Sequence, residues 1–428
     1  MVSSRIPSFH KMTVEERIAA VREFAGLSDE EVRLLKQSCK LGMEKANIMI
    51  ENVIGTFELP FGIATNFLIN GKDYLIPMAI EEPSVVAAAS FAAKLARAGG
   101  GFKARADEPV MIAQIQIRRV KNIDKAMEKL IASKKDIIDM ANEKAGLLLE
   151  LGGGAKDFEL RKINTPSGNM LIFNLLVDVR DAMGANTVNT MAEHISPLLE
   201  ELTQADTLFK IVSNLAIYRK AYSKALWRKD VLEESCKADM SGDEIVENII
   251  DGYYFAYYDQ FRATTHNKGI MNGISALAIA TGNDFRALEA GVHSYAAYKH
   301  EYRPVTKYYK NKKGDLVGEI EIPLAVGTVG GSIKTNPLAQ IALKILKVKS
   351  AKELSMVMAS LGLAQNFAAL RAMATEGIQH GHMRLHARNI AIMAGAKGDE
   401  IEKVAAKLYE EKNFSAEHAK EILKDIRK

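Results

Sequence analysis

Residues 111–120 read MIAQIQIRRV, a strand, and DKAMEKLIASKKDIIDMANEKAGLLLEL (124–151) follows as one long helix. Two more strands come next, FELRKI (158–163) and MLIFNLLVDV (170–179). A helix, GANTVNTMAEHISPLLEEL (184–202), leads to a last strand, LFKIVSNL (208–215). The order β-α-β-β-α-β is the ferredoxin-like pattern. It interrupts flanks of a different character, so residues 109–216 are expected to form a small inserted domain. Residues 1–108 and 217–375 then make one mainly helical large domain, and 376–428 a C-terminal helical flap. The expected class is α+β.

Outward from this unit, Thr13-Val14-Glu15-Glu16 and Ser28-Asp29-Glu30-Glu31 are capping-box patterns ahead of helices. Asn52 to Gly71 mixes Gly55, Pro60 and Gly62 with short apolar pieces, which reads as strand and turn. A strand, Tyr74 to Ala79, leads to Glu81-Glu82-Pro83-Ser84, with Pro83 suited to the first residue of a helix that ends at Gly99-Gly100-Gly101. Helices are expected over Asp243–Tyr258, Asp284–Tyr298 and Pro337–Leu346, and a hairpin over Lys307–Ile322 around Lys313-Gly314-Asp315.

The chain has 428 residues, more than one core usually organises. With 57 Lys+Arg against 53 Asp+Glu the net charge is +4, which gives no reason to expect a nucleic-acid partner. Two cysteines, Cys39 and Cys236, rule out a disulfide scaffold and fit a reducing cytoplasm. The first twenty residues lack the apolar core of a signal peptide, and no apolar run reaches the ~18 residues needed to span a bilayer. A soluble cytoplasmic protein without a membrane partner is expected.

Four segments carry candidate chemistry. In His266-Asn267-Lys268-Gly269-Ile270-Met271-Asn272-Gly273, a lysine set among glycines and amides is expected to be buried, and to stay charged only beside a carboxylate. Asp284, after the Gly282-Asn283 turn, is the nearest candidate partner in sequence. The ammonium would be either half of a structural ion pair or a stabiliser of developing negative charge. Glu81 and Glu82 favour a helix start through the helix dipole, or one of them donates a proton in a cleft. His382 and His386 stand four apart, a metal-ligand spacing, but without the glutamate of the zinc-protease pattern or an obvious third ligand, so no metal is expected. His382, near Gly381, is either a surface histidine or an acid delivered by a closing flap. Asp181-Ala182-Met183-Gly184-Ala185-Asn186 joins a strand to a helix whose N-terminus can hold a phosphate; it is not the G-x-G-x-x-G fingerprint.

Taken in order, these segments and Glu51-Asn52-Val53-Ile54-Gly55 resemble the class II hydroxymethylglutaryl-CoA (HMG-CoA) reductases, the form found in bacteria and some archaea. The resemblance covers nearly the whole chain. It implies a two-step, four-electron reduction of HMG-CoA to mevalonate and CoA by NADPH or NADH, for isoprenoid precursor synthesis. Lys268 matches the family's catalytic lysine, Glu82 its proton-donating glutamate, Asp284 the aspartate linking them, and His382 the histidine that protonates the CoA thiolate. Ser84, Arg262, Asn272 and Gln365 match the residues that hold the substrate acyl group. Asp181, Met183, Gly184, Ala185, Asn186 and Asn214 match the cofactor site. Ala145, after Lys144, stands where members that use NAD can carry an aspartate that repels a 2′-phosphate, so NADPH is the favoured cofactor. Ala155 stands where the family often has cysteine. The family's site lies between subunits, which implies a homodimer assembled into hexamers. The same residues would serve mevalonate oxidation in reverse, and an inactive CoA-binding relative would keep the fold without the activity.

Overall fold

The computed structural model describes residues 3–37, 41–375, 377 and 387–427. Ten strands fall into two sheets: β1 Phe61–Ile69, β2 Lys72–Ala79, β3 Phe102–Ala106, β4 Val110–Arg118, β5 Gly154–Thr165, β6 Gly168–Asp178, β7 Asp206–Ser213, β8 Lys220–Trp227, β9 Thr306–Lys310 and β10 Leu316–Pro323.

The four-stranded sheet has the order β5-β6-β4-β7, every neighbouring pair antiparallel. This is the ferredoxin-like arrangement that the order of elements implies. Its core gathers Met111, Ile115 and Ile117 from β4, Leu171, Phe173 and Leu175 from β6, and Val188, Met191 and Ile195 from the Ala185–Thr203 helix. The Phe158 ring stacks on Phe173 at 4.6 Å. The single helix expected over 124–151 is instead three, Ile123–Ala132, Lys134–Asn142 and Leu147–Glu150. It breaks where Ser133 leaves helical geometry and where Gly146 takes a positive φ of 53°. Asn142 ends the second piece for a visible reason. Its side chain accepts from Ala155 N at 2.8 Å and donates to Ala155 O at 3.2 Å, tying the helix end to β5.

Six strands cross the larger, mainly helical body in the order β2-β1-β3-β8-β10-β9. Strands β9 and β10 form the expected hairpin, with Gly314 at φ 85° in its turn. Against this sheet lies the Ala351–Ala374 helix, buried all round through its middle, as a helix apolar on every face must be. Trp227 of β8 stacks on Phe367 of that helix at 3.9 Å, and Ser223 meets Ser360 at 2.9 Å between hydroxyl oxygens. Both capping boxes at Thr13 and Ser28 form as expected. Pro83 does not open the next helix. Ser84 takes φ 76° and the helix runs Val85–Arg97. The helices Asp399–Glu410 and Ala416–Ile426 pack with Ala387, Ile390 and Ala391 around a core of their own. Among the described residues no helix is long and apolar enough to cross a membrane.

Candidate active site

Lys268 and Asn272 stand one turn apart on the Gln260–Ala280 helix, so they share a face. That helix starts on Asp259, whose side chain accepts from Arg262 N at 3.0 Å. Glu82 arrives from the turn after β2. Its Oε2 accepts from Lys268 Nζ at 3.2 Å and from Asn272 Nδ2 at 3.4 Å. The expected burial of Lys268 is therefore wrong in the single chain: its side chain is 59% exposed and that of Glu82 36%. The expected partner is wrong as well. Lys268 pairs with Glu82, while Asp284 caps the Phe285–Ala296 helix, accepting from Arg286 N and Ala287 N at 3.1 Å each and pairing with Arg286. Capping competes for a carboxylate placed at a helix start, and here it wins.

A second carboxylate stands near the lysine. Glu289 accepts from Ser275 Oγ at 2.5 Å and contacts His293 Nε2 at 3.2 Å, and His293 Nδ1 contacts Tyr302 Oη at 2.7 Å. Burial would raise the Glu289 carboxyl. The hydrogen bonds from His293 and Ser275, with the charges of His293 and Lys268, outweigh it and hold the group below its usual range. Sequence reading missed this chain; its signal was the Glu289 and His293 spacing of four on one helix.

Four residues are matched to substrate binding, and two of them, Arg262 and Asn272, are on the site helix. Ser84 has its Oγ buried without a hydrogen-bond partner among the described residues, and Gln365 has its Oε1 in the same condition. Gly273 lets Gln365 approach: a Cβ there would stand 3.4 Å from that of Gln365. Arg262, on the same face as Gly273, is half-buried, with Nη2 3.7 Å from Met373 Sδ. Burial lowers its pKa. Burial, with the charge of Arg262, pushes His266 down to about 3, so His266 is neutral and bonds Thr306 at 2.6 Å. His382 lies outside the described residues.

The loop 181–184 is anchored on several sides. Asp181 Oδ1 accepts from Ala351 N at 2.7 Å, and Asp181 O from Thr328 N at 2.9 Å. Gly184 takes φ 94° and starts the Ala185–Thr203 helix without a side-chain cap among the described residues. The first N–H groups of that helix are thus left for an anionic ligand, which is what a dinucleotide phosphate requires. Asn186 is exposed at this helix start. Asn214 is exposed too, its carbonyl so close to Gly291 that a Cβ there would stand 2.7 Å away. Lys144 is exposed, whereas Ala145 is buried in the small-domain core and presents no side chain to a ligand. Sequence reading also missed Arg219 and Asn283, which hold this loop from behind.

A lysine–carboxylate pair in one body and an uncapped glycine loop on a ferredoxin-like unit fit the needs of a nicotinamide-dependent oxidoreductase. The profile of the family described as hydroxymethylglutaryl-coenzyme A reductase matches residues 13–387. The chain belongs to this family and is an HMG-CoA reductase of the class II type. It is 58% identical to the enzyme of that name from Archaeoglobus fulgidus, over all of this chain and 95% of that one. A probable HMG-CoA reductase of Borreliella burgdorferi is 37% identical over 89% of this chain and 86% of its own. Among solved structures, the class II reductase of Streptococcus pneumoniae bound to NADPH in open conformations superposes with a TM-score of 0.82 at 38% identity, covering 97% of this chain and 100% of that one.

Proposed function

We propose that the chain reduces HMG-CoA to mevalonate and CoA, with the reacting carbonyl placed at the Lys268–Glu82 pair. The single observation that carries this reading is that pair, with Asn272 donating to the same Glu82 oxygen within one chain. The bound nicotinamide supplies the hydride in each of two rounds. In the first round the thioester becomes a hemithioacetal, and the Lys268 ammonium stabilises the oxygen as its charge develops. The hemithioacetal collapses to mevaldehyde, and His382 gives its proton to the departing CoA thiolate. In the second round the aldehyde is reduced, and Glu82, beside Lys268, donates the proton to the new alkoxide. Asp284, matched to the family's linking aspartate, tunes the charges of the pair. Ser84, Asn272 and Gln365 hold the acyl group, and Arg262 its free carboxylate.

Asp181, Met183, Gly184, Ala185, Asn186 and Asn214 hold the dinucleotide. Position 145 carries no carboxylate and Lys144 is exposed beside it, which favours NADPH; the S. pneumoniae relative was solved with NADPH. The domain division is 1–108 with 217–375, 109–216, and 376–428; two of the four buried clusters fall in the first unit and one in each of the others, apart from Ala325 in the second. The working unit is a dimer in the cytoplasm. Ile48, Ile50, Ile54 and Phe57 are exposed in the lone chain, an apolar patch suited to a covered interface. Loss of nicotinamide absorbance on adding HMG-CoA, two NADPH per HMG-CoA, tests the reaction. No HMG-CoA-dependent loss with either cofactor rejects it. A kcat/KM greater for NADH rejects the cofactor preference, and a fully active monomer in sedimentation rejects the dimer.

A further inference from the structure

Arg219 immediately precedes β8 and is 4% exposed. Its guanidinium faces carbonyls. Nη1 donates to Ala182 O at 3.1 Å and Met183 O at 3.3 Å, and Nη2 donates to Val326 O. The carboxylates of Asp178 and Asp181 act on it only through their charge. Burial lowers its pKa to about 10, so the group stays cationic at neutral pH. A buried cation held mainly by carbonyl dipoles is costly to bury, and three charge-assisted hydrogen bonds offset part of that cost.

The other side of the loop is fixed by contact. Gly327 presses on it so closely that a Cβ would stand 2.7 Å from Met183 N and 3.1 Å from both Ala182 C and Asp181 O. Gly327 is itself tied to the catalytic turn: its N–H donates to Asn283 Oδ1 at 2.8 Å, and Asn283 Nδ2 donates to Thr281 Oγ1 at 3.0 Å. Asn283 is the residue before Asp284. The loop is therefore gripped between a buried cation and a strap that reaches the substrate side.

We infer that Arg219 is a positioning residue for the dinucleotide: it turns the Ala182 and Met183 carbonyls inward and so aims the loop and the uncapped helix start at the cofactor, with the Gly327–Asn283 strap setting that loop against the catalytic turn. Peptide geometry makes the direction specific. In a trans peptide the N–H following a carbonyl points the opposite way. With the Met183 carbonyl turned to Arg219, the Gly184 N–H faces away from it, joining the free N–H groups of the following helix. The buried positive charge beneath the loop adds an attractive field for a phosphate. This inference rests on the placement of the dinucleotide at 181–186.

The test is binding of NADPH and NADH by calorimetry without HMG-CoA, together with the separate KM values for dinucleotide and HMG-CoA. Arg219→Met is expected to weaken dinucleotide binding by about tenfold or more, with KM for HMG-CoA little changed. Arg219→Lys, which keeps the charge but cannot span three carbonyls, should lie between. Gly327→Ala pushes the same loop without removing a charge and should also weaken dinucleotide binding. If Arg219→Met folds and binds dinucleotide like the parent, whatever its melting temperature, the residue is merely structural and the inference fails. If Arg219→Met does not fold, unchanged binding in both Arg219→Lys and Gly327→Ala overturns it. Asn186→Asp separates the two levels, since it sets a negative charge at the helix start. Weakened binding there with silent Arg219 variants rejects the inference alone. Silence there rejects the cofactor placement and the inference with it.

Discussion

The two halves of the site are held very differently. Glu82 and Lys268 meet through one long ion pair, with a single further bond from Asn272 to Glu82 and both side chains substantially open. The loop 181–184 is fixed by Ala351 N, Thr328 N, the Arg219 guanidinium and the packed Gly327 backbone. The difference teaches which half is preorganised. A cofactor used twice in one turnover gains from a rigid platform, because each ordering cost avoided on binding is avoided twice. On the proposed mechanism the pair accommodates a thioester, a hemithioacetal and an aldehyde in turn, and a lightly held ammonium can follow the oxygen among them.

The comparison can be broken most sharply at Lys268. Lys268→Ala should lower kcat by about two to three orders of magnitude, the size of effect of losing one oxyanion donor. Its melting temperature should stay near that of the parent, since the side chain is largely exposed. A variant that unfolds would show that the pair is structural, and one with near-normal turnover would reject the mechanism. On the rigid side, Asn283→Ala removes the strap and should raise the dinucleotide KM several-fold while costing about 1 kcal/mol of stability. Denaturant melts and steady-state kinetics read both, and an unchanged dinucleotide KM would uncouple the halves. Asn272→Ala should have a smaller effect, a few-fold loss in kcat, because the bond it removes is 3.4 Å long.

The smallest effect concerns pH. The Glu289 carboxyl is held below its usual value of 4.5, where burial, which raises it, is outweighed by His293, Ser275 and the charge of Lys268. Its contribution to stability is present above that unfolded value and is lost as pH falls through the lower folded one. Glu289→Gln should flatten the acid limb of the melting temperature against pH, lowering the curve above about pH 5 and leaving its most acid end nearly unchanged. An identical acid limb would remove Glu289 from the account.

Much of the fold was legible because local chemistry and tertiary structure agree. The ferredoxin-like unit announces itself through apolar strands and two helices in order, and the Thr13 and Ser28 caps through their side chains. The six-stranded sheet was harder to read. Strand β8, KAYSKALW, turns Ala221, Ser223 and Ala225 inward, and small residues at the core face give little apolar signal. They are small because a helix lies close against them. That helix, Ala351–Ala374, carries no polar stripe to mark its period, since every face is covered. In the site, Glu82, Lys268 and Asn272 were named from motifs, but their spatial pairing was not legible. The sequence distance between Glu82 and Lys268 is bridged only by the packing of the site helix against β2. Arg219 carried no local mark at all: an arginine before a strand is ordinary until burial turns it toward carbonyls.

The Ala351–Ala374 helix touches the site three times along its length. Its first N–H receives Asp181 of the cofactor loop, Gln365 stands beside Gly273 of the lysine helix, and Met373 meets Arg262. A straight α-helix advances about 1.5 Å and turns about 100° per residue. The helix is thus a ruler whose graduations set the separation of the proposed dinucleotide loop and acyl pocket, roughly 21 Å from Ala351 to Gln365 along its axis. Lengthening it by one residue between those marks would shift one reading by a small step and swing it to the wrong side of the rod. An insertion there is expected to break one of the two contacts, whereas length changes in the surface loops at Lys313 and Ser167, which stand off the ruler, should leave both in place.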